Sequence, residues 1–65
     1  MPMSNLKRIR KLRNLTQGQL SYRSGVKLRT IKSYEQGYRD INKANGKTLK
    51  QLASILNCNI EDLLE

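Results

Sequence analysis

The segment from Gln17 to Tyr34 limits the possible folds most, because Gly25 separates two short stretches with helical periodicity. The first stretch runs to about Ser24, and the second covers roughly Lys27–Gln36. Gly25 and Gly37 directly follow the two stretches, at the position where a helix usually ends with a residue at positive φ. The sequence therefore predicts two short helices joined by a tight turn.

The residues before this segment also have helical spacing. The positions i, i+3, i+4 and i+7 are occupied by Leu6, Ile9, Arg10 and Arg13. Ser4 is the expected N-cap, and Leu12 is expected to contact the core together with Leu6 and Ile9. Leu15 is predicted to be a buried linker residue. Residues 16–19, Thr-Gln-Gly-Gln, form a capping box that predicts the start of the next helix.

The residues after Gly37 complete an all-helical pattern. Residues 37–46 have no clean period and are expected to form a loop. A helix is predicted over about Lys47–Asn57, and Asn57 can adopt the left-handed conformation at its end. A last short helical turn, Ile60–Leu64, follows Asn59 as its cap. With no strand pattern and no repeat, the sequence predicts a compact five-helix, all-α domain that spans residues 1–65.

Composition argues against an enzyme and against a membrane protein. A chain of 65 residues buries only about 60% of its unfolded surface. Because it has no His, it contains neither a His-based catalytic triad nor a histidine metal site, and we expect no cofactor. No more than two apolar residues occur in a row, which excludes a membrane span or a signal-peptide core. The start MPMSNLKR is typical of a cytosolic protein.

The single cysteine agrees with a cytoplasmic location. Cys58 alone forms no internal disulfide, as suits a reducing compartment. Its neighbours Leu56 and Ile60 favour a small buried hydrophobic residue. A redox sensor would instead need an exposed thiol in electropositive surroundings.

The charge is strongly positive and unevenly distributed. Residues 1–50 contain all 13 basic residues and two of the five acids, a net charge of +11, whereas residues 51–65 have three acids and a net charge of −3. A basic surface of this kind attracts nucleic acid, an anionic membrane or an acidic protein. The alternative is that the basic residues only solubilise the surface, but the asymmetry favours a basic working face and a separate acidic end.

The two helices around Gly25 satisfy the requirements of a DNA-binding helix-turn-helix. Gly25 permits the tight turn, the small Ser21 lets the helices approach, and Val26 and Ile31 can fix the angle between them. The second helix then protrudes enough to enter a DNA major groove. The same pattern is equally typical of an ordinary αα-hairpin within a small helical bundle.

The residues themselves resemble the Cro/repressor-type helix-turn-helix, or XRE, family, which includes lambdoid phage repressors and Cro proteins. The resemblance covers about residues 4–64. It is carried by Thr16-Gln17, Leu20, Ser24-Gly25-Val26, Ile31, Glu35-Gln36-Gly37 and the spaced Leu, Ile and Ala residues from Leu49 to Leu64. It implies a lambda-repressor-like fold and a DNA-binding protein.

The resemblance implies that the helix over residues 27–36 reads base edges in the major groove. The positions that match the groove-facing positions of the family are Lys27, Leu28, Arg29 and Ser33. Arg29 has the fork that bonds guanine O6 and N7, worth about 1–3 kcal/mol of discrimination, which favours base reading, with a phosphate contact as the alternative. Leu28 departs from the polar residue common at its position, and it either covers a thymine methyl group or packs into the core.

Other matching positions are implied to contact the DNA backbone. Gln17 begins the first helix of the motif, where family members bond phosphate and brace the recognition helix. The remaining candidates for phosphate or minor-groove contact are Arg23, Lys32, Gln36, Tyr38, Arg39 and Lys43. For Arg23 and Lys32, a solvated surface position is an equally good interpretation.

Arg10 and Glu35 occupy family positions that form a structural ion pair. Glu35 is one of only two acids in the basic fifty residues. An acid facing DNA phosphate would oppose binding, so a basic partner within the protein is physically reasonable. We therefore expect this pair to tie the first helix to the end of the recognition helix.

These observations predict a sequence-specific transcriptional repressor that binds double-stranded DNA as a homodimer. Ile55, Ile60, Leu63 and Leu64 are the candidate dimer interface, with the hydrophobic core as the alternative. A second hypothesis is an antitoxin-like or adaptor module whose acidic C-terminal end binds a protein. A third is nonspecific nucleic-acid or RNA binding, although the three Tyr residues do not form a stacking platform.

Overall fold

Four α-helices and two 3-10 turns make up the computed structural model, which describes residues 3–65. The helices are α1 (Asn5–Leu12), α2 (Gln17–Ser24), α3 (Leu28–Gln36) and α4 (Gly46–Leu56). The 3-10 turns are Ile41–Lys43 and Ile60–Leu63, so the last predicted helix is a 3-10 turn and the count of five helices was wrong. Residues 1–2, with which the predicted cytosolic N-terminus begins, lie outside the described residues.

The caps predicted at Ser4 and Thr16 and the helix ends predicted at Gly25 and Asn57 are confirmed. Ser4 Oγ accepts a hydrogen bond from the backbone N–H of Lys7 at 3.1 Å, at the start of α1. At the start of α2, the Thr16 hydroxyl accepts from Gln19 N–H at 3.0 Å, and the Gln19 side chain accepts from Thr16 N–H at 2.9 Å. Gly25 has φ of 78° and Asn57 has φ of 53°, so both end their helices in the left-handed conformation. Local capping chemistry thus defines most of the boundaries.

Two helix starts and one loop differ from the prediction. The helix α3 begins at Leu28, and its N-cap Lys27 provides no side-chain hydrogen bond. The helix α4 begins at Gly46 rather than Lys47, because the Asn45 side chain accepts from Thr48 N–H at 2.8 Å. The predicted loop over 37–46 contains the 3-10 turn Ile41–Lys43, which Asp40 starts by accepting from Asn42 N–H at 2.9 Å.

All four helices and both 3-10 turns contribute to one hydrophobic core. Its fully buried residues are Leu6, Leu20, Ile31, Leu52, Leu56 and Leu63. The expectation that Leu12 contacts the core was wrong, since Leu12 is 64% exposed. At about 100° per residue, six positions turn Leu12 roughly 120° away from Leu6 on the helix surface. No helix among residues 3–65 is long and apolar enough to cross a membrane.

Candidate nucleic-acid interface

Hydrogen bonds within the turn fix the orientation of α3 relative to α2. The Ser21 hydroxyl donates to the Val26 carbonyl at 2.6 Å, and the Ser24 hydroxyl accepts from Val26 N–H at 3.2 Å. The Val26 side chain is buried in the core, as is Ile31 one turn into α3. Val26 is therefore held through its backbone N–H, its carbonyl and its buried side chain. These contacts fix α2 and α3 as one unit.

The helix α3 has a buried side and an exposed side. Ile31 and Tyr34 point into the core, whereas Arg29, Lys32 and Gln36 are exposed. These three residues follow one another at i, i+3 and i+7, so they form a stripe along the outer surface of the helix. The helix thus presents a polar and basic edge to solvent over its whole length.

The four residues predicted to contact bases lie at the start of α3 and one turn further on. Lys27 and Arg29 are exposed, and no protein group among residues 3–65 hydrogen-bonds the Arg29 guanidinium. Leu28 is 38% exposed, so its side chain is accessible rather than enclosed in the core. Ser33 is half-buried, and its hydroxyl donates to the Arg29 carbonyl at 2.8 Å. The first three side chains are available to a ligand, and the Ser33 hydroxyl keeps only its acceptor lone pairs.

The predicted backbone-contacting residues surround α3. Gln17, the first residue of α2, is half-buried, and its side-chain amide donates to Glu35 Oε1 at 3.0 Å. Gln17 thereby joins the start of α2 to the end of α3, and its backbone N–H lies at a helix N-terminus. The other candidates are all exposed: Arg23, Lys32, Gln36, Tyr38, Arg39 and Lys43.

The segment that follows α3 is attached to that helix by its backbone. The N–H groups of Tyr38 and Arg39 both donate to the Ser33 carbonyl, at 2.9 and 3.2 Å. This closes the C-terminal end of α3 around Gly37, which has φ of 83°. The side chains of Tyr38 and Arg39 consequently emerge next to the last turn of α3.

Arg10 and Glu35 form a bidentate ion pair beneath the exposed surface. Arg10 Nε lies 2.8 Å from Glu35 Oε2, and Arg10 Nη2 lies 3.0 Å from Glu35 Oε1. Arg10 Nη1 also donates to the Leu15 carbonyl at 2.8 Å. The Glu35 side chain is only 2% exposed, so its charge is withdrawn from solvent and compensated by the guanidinium.

This ion pair leaves the surface of α2 and α3 without an exposed acid. Glu35 is the only acid between residues 17 and 36, whereas the basic residues there, Arg23, Lys27, Arg29 and Lys32, are all exposed. A face with charges of one sign attracts a polyanion over distances comparable with the Debye length. The geometry and the charge of this face both suit an extended anionic ligand.

Arg13 has a structural role that the sequence pattern did not indicate. Its Nε donates to the Leu56 carbonyl at 2.8 Å, and its Nη2 lies 3.4 Å from the Asn57 carbonyl. It thereby satisfies carbonyl groups at the C-terminal end of α4, where a cation is favourable. The residues are 43 apart in the sequence, so no local spacing could have revealed the contact.

The residues at the acidic end are also tied to the fold. The backbone of Glu65 pairs with the Asn42 side chain through two hydrogen bonds of 2.8 and 3.0 Å. The Glu65 carboxylate accepts from the N–H of Asn5 at 2.9 Å, and the Asn5 amide donates to the Leu64 carbonyl at 2.6 Å. These contacts connect the last residues to α1 and to the first 3-10 turn.

Cys58 lies outside the basic face. It is half-buried, whereas the sequence predicted a buried residue. It packs against the core just after the end of α4. Burial raises the pKa of its thiol above the ordinary value, and the nearby Asp62 carboxylate raises it further, although Arg13 lowers it. The thiol form is therefore favoured, which argues against a reactive thiolate.

Comparison with known proteins gives one family match. A family model described as helix-turn-helix matches residues 6–63, from α1 to the last 3-10 turn. No curated protein and no solved structure gives a significant match. The matched range includes both helices around Gly25 and every residue predicted above to contact DNA.

Proposed function

Because the chain belongs to the Cro/C1-type (XRE) family of helix-turn-helix proteins, a family of DNA-binding transcription regulators, we propose that it is a repressor. In this proposal α3 enters the major groove of an operator and excludes the transcription machinery by occupying that site. In this proposal the protein acts in the cytoplasm and without a cofactor.

The observation that carries this proposal is the exposed stripe on α3 in a surface without exposed acids. Arg29, Lys32 and Gln36 face outward together, while Glu35 of the same helix is bound inside by Arg10. This arrangement favours a helix inserted between two phosphate backbones, because an exposed carboxylate without a basic partner would be repelled from both sides.

Sequence is read, in this proposal, by the first turn of α3. Arg29 donates both arms of its free guanidinium to a guanine, and Leu28 contacts a thymine methyl group. Lys27 places a cation at the groove edge, and Ser33 accepts a hydrogen bond one turn further along. The exposure of Leu28 and the absence of an internal partner for the Arg29 side chain, among the residues described, support these roles.

The backbone is contacted on both sides of α3. Gln17 presents its backbone N–H to one phosphate while its side chain braces α3 through Glu35. Arg23 and Lys32 neutralise further phosphates, and Tyr38 and Arg39 extend the contact past the end of α3 towards the minor groove. Lys43 and Gln36 make further contacts with the DNA backbone. These contacts supply affinity and register, and they carry little sequence information.

The protein binds its operator as a homodimer. Helix-turn-helix dimers place two recognition helices in successive major grooves, about 34–36 Å apart. Of the candidate interface residues, Leu63 is fully buried in the core and is not available to a second copy. Ile55, Ile60 and Leu64 are only half-buried and support a role in self-association.

Selection of binding sites from random DNA duplexes tests the proposal. We expect an enriched sequence with two related half-sites, and binding that survives an excess of competitor DNA. Equal affinity for selected and random duplexes would rule out an operator-binding repressor. It would favour instead nonspecific nucleic-acid binding or a protein partner at the acidic C-terminal end.

A further inference from the structure

The side chain of Asn42 pairs with the backbone of Glu65, which lies 23 positions further along the chain. Its Nδ2 donates to the Glu65 carbonyl at 3.0 Å, and its Oδ1 accepts from the Glu65 N–H at 2.8 Å. One side-chain amide thus satisfies both backbone polar groups of one residue, as the opposite residue of an antiparallel strand does. We call this contact the Asn42–Glu65 pairing.

The pairing connects Asn42 to a residue that α1 holds in place. The Glu65 carboxylate accepts from the N–H of Asn5 at 2.9 Å, and the Asn5 side-chain amide donates to the Leu64 carbonyl at 2.6 Å. Asn5 begins α1, and the same helix holds the end of α3 through the buried ion pair described above. The segment that contains Asn42 is therefore attached to the helix that also fixes α3.

Asn42 is the middle residue of the 3-10 turn Ile41–Lys43, in which each residue is rotated by about 120° from the one before. Ile41 is buried in the core, and the Asn42 side chain is bonded to Glu65. The third direction is left to Lys43, which is exposed and has no ion-pair partner among residues 3–65. Because the first two side chains are fixed, the direction in which Lys43 leaves the turn is fixed as well.

We propose that Asn42 is a positioning residue for DNA binding, which directs Lys43 towards a phosphate of the DNA backbone through the Asn42–Glu65 pairing. Lysine carries its charge on a flexible side chain, so a phosphate contact is stronger when the backbone that bears the lysine is already ordered. Asn42 has no charge and acts on the DNA only through Lys43. The inference rests on the Lys43 contact of the proposed function and names the residue that determines its strength.

Amide hydrogen exchange followed by NMR measures the pairing without DNA. The Glu65 N–H should exchange at least ~5-fold more slowly in the wild type than in Asn42→Ala, a typical net effect of one hydrogen bond. Equal exchange rates would mean that the pairing does not form in solution, and would overturn the inference.

Salt titration of binding to DNA duplexes of random sequence measures the positioning role. Lys43→Ala should reduce the slope of log affinity against log salt concentration by about 0.9, the contribution of one phosphate contact. Asn42→Ala removes no charge, yet it should reduce the slope in the same direction. The double variant Asn42→Ala/Lys43→Ala should bind like Lys43→Ala alone, because the contact that Asn42 supports is already lost. Asn42→Ala combined with Lys32→Ala, on α3, is the matched control, and these two losses of affinity should multiply.

A second pair of variants alters the pairing from the side of Glu65. Glu65→Pro removes the N–H that donates to Asn42 Oδ1, whereas Glu65→Ala removes the same carboxylate but keeps this N–H. Leu64 has φ of −73° and ψ of 150°, a conformation that a residue before proline adopts readily. Relative to Glu65→Ala, we therefore expect Glu65→Pro to have the smaller salt slope.

Three results would contradict the positioning role. An unchanged salt slope in Asn42→Ala, with a lower Tm, would make the pairing a contribution to stability alone. Losses of affinity that multiply in Asn42→Ala/Lys43→Ala would mean that Asn42 acts on the DNA independently of Lys43. Equal slopes for the two Glu65 variants would show that the pairing does not control the contact. Failure to select an operator would remove the repressor proposal alone, because these titrations use random duplexes.

Discussion

The guanidinium of Arg10 donates two hydrogen bonds, of 2.8 and 3.0 Å, to the carboxylate of Glu35 near the end of α3. The pair joins α1 to the end of α3, and Gln17 joins the start of α2 to the same carboxylate. The carboxylate of Glu35 thus connects three helices. Its burial also keeps its negative charge away from the surface that we propose binds DNA. Its structural and electrostatic effects are separable by mutation.

Glu35→Ala is expected to lower the free energy of unfolding by about 3–5 kcal/mol, because it leaves the Arg10 guanidinium buried without its counter-ion. For a domain of this size each kcal/mol corresponds to about 4–8 °C in Tm. The measurement is thermal unfolding by circular dichroism. Glu35→Gln retains one acceptor oxygen for Arg10, so its free energy of unfolding should fall less than that of Glu35→Ala. Unchanged melting with lost DNA affinity would contradict the structural role and place Glu35 in direct contact with DNA.

Arg29→Ala is expected to relax base preference at one position of each half-site, at a cost of about 1–3 kcal/mol, while thermal stability stays unchanged. The reason is that its guanidinium is exposed and unbonded within the described residues. Site selection with the variant protein measures the effect. Arg29→Lys is the matched control, because it retains the charge but loses the bidentate fork. If Arg29→Lys keeps the full base preference and Arg29→Ala weakens all sequences alike, Arg29 contacts phosphate.

The elements of this fold were predictable where the signal is local. Caps at Ser4 and Thr16 and left-handed stops at Gly25 and Asn57 depend on side chains within four residues, and all four are confirmed. The 3-10 turn at Ile41–Lys43 was missed because three residues are too few for a period to appear. The prediction for Leu12 was wrong because hydrophobicity alone does not determine which side of the helix a residue occupies, and its angle on α1 turns it away from the core.

The candidate site was predictable only in part, for a related reason. A single sequence indicates which side chains lie on α3, but not which of the basic residues are already engaged inside the fold. Arg13 counts as one more cation in the basic half of the chain, yet its guanidinium is occupied by carbonyls at the end of α4. The resemblance to a family supplied the Arg10–Glu35 pair, whereas nothing in the local sequence supplied the contact of Arg13.

Arg13→Ala and Lys32→Ala each remove one positive charge but should affect different properties of the protein. Lys32 is exposed on α3, so its loss should reduce the slope of log affinity against log salt concentration by about 0.9, the contribution of one phosphate contact. Arg13 is held by α4, so its loss should leave the salt slope unchanged and lower Tm. Titrations at several salt concentrations, together with melting curves, separate the two. A reduced salt slope for Arg13→Ala would mean that it reaches the DNA.

Two glycines of the helix-turn-helix should respond in opposite directions to the same substitution. Gly25→Ala is expected to cost about 1–2 kcal/mol, because Gly25 has φ of 78° and an L-residue is strained there. A methyl group itself would meet only the Gln51 side chain at 3.8 Å, so the cost comes from the backbone and not from a clash. Gly18 lies in the first turn of α2 and its nearest neighbour would be Thr16 Oγ1 at 3.9 Å.

Gly18→Ala should therefore stabilise the protein by about 0.4–1 kcal/mol, since it restricts the unfolded chain without straining the folded one. Urea unfolding of the two variants beside the wild type measures both effects, and equal slopes against urea confirm that the unfolded states are comparable. Because Gly25 lies in the turn between α2 and α3, Gly25→Ala should also weaken operator binding by disturbing the angle of α3. If Gly25→Ala were as stable as the wild type, the turn would accept a different backbone conformation, and the fixed angle between α2 and α3 would not depend on this glycine.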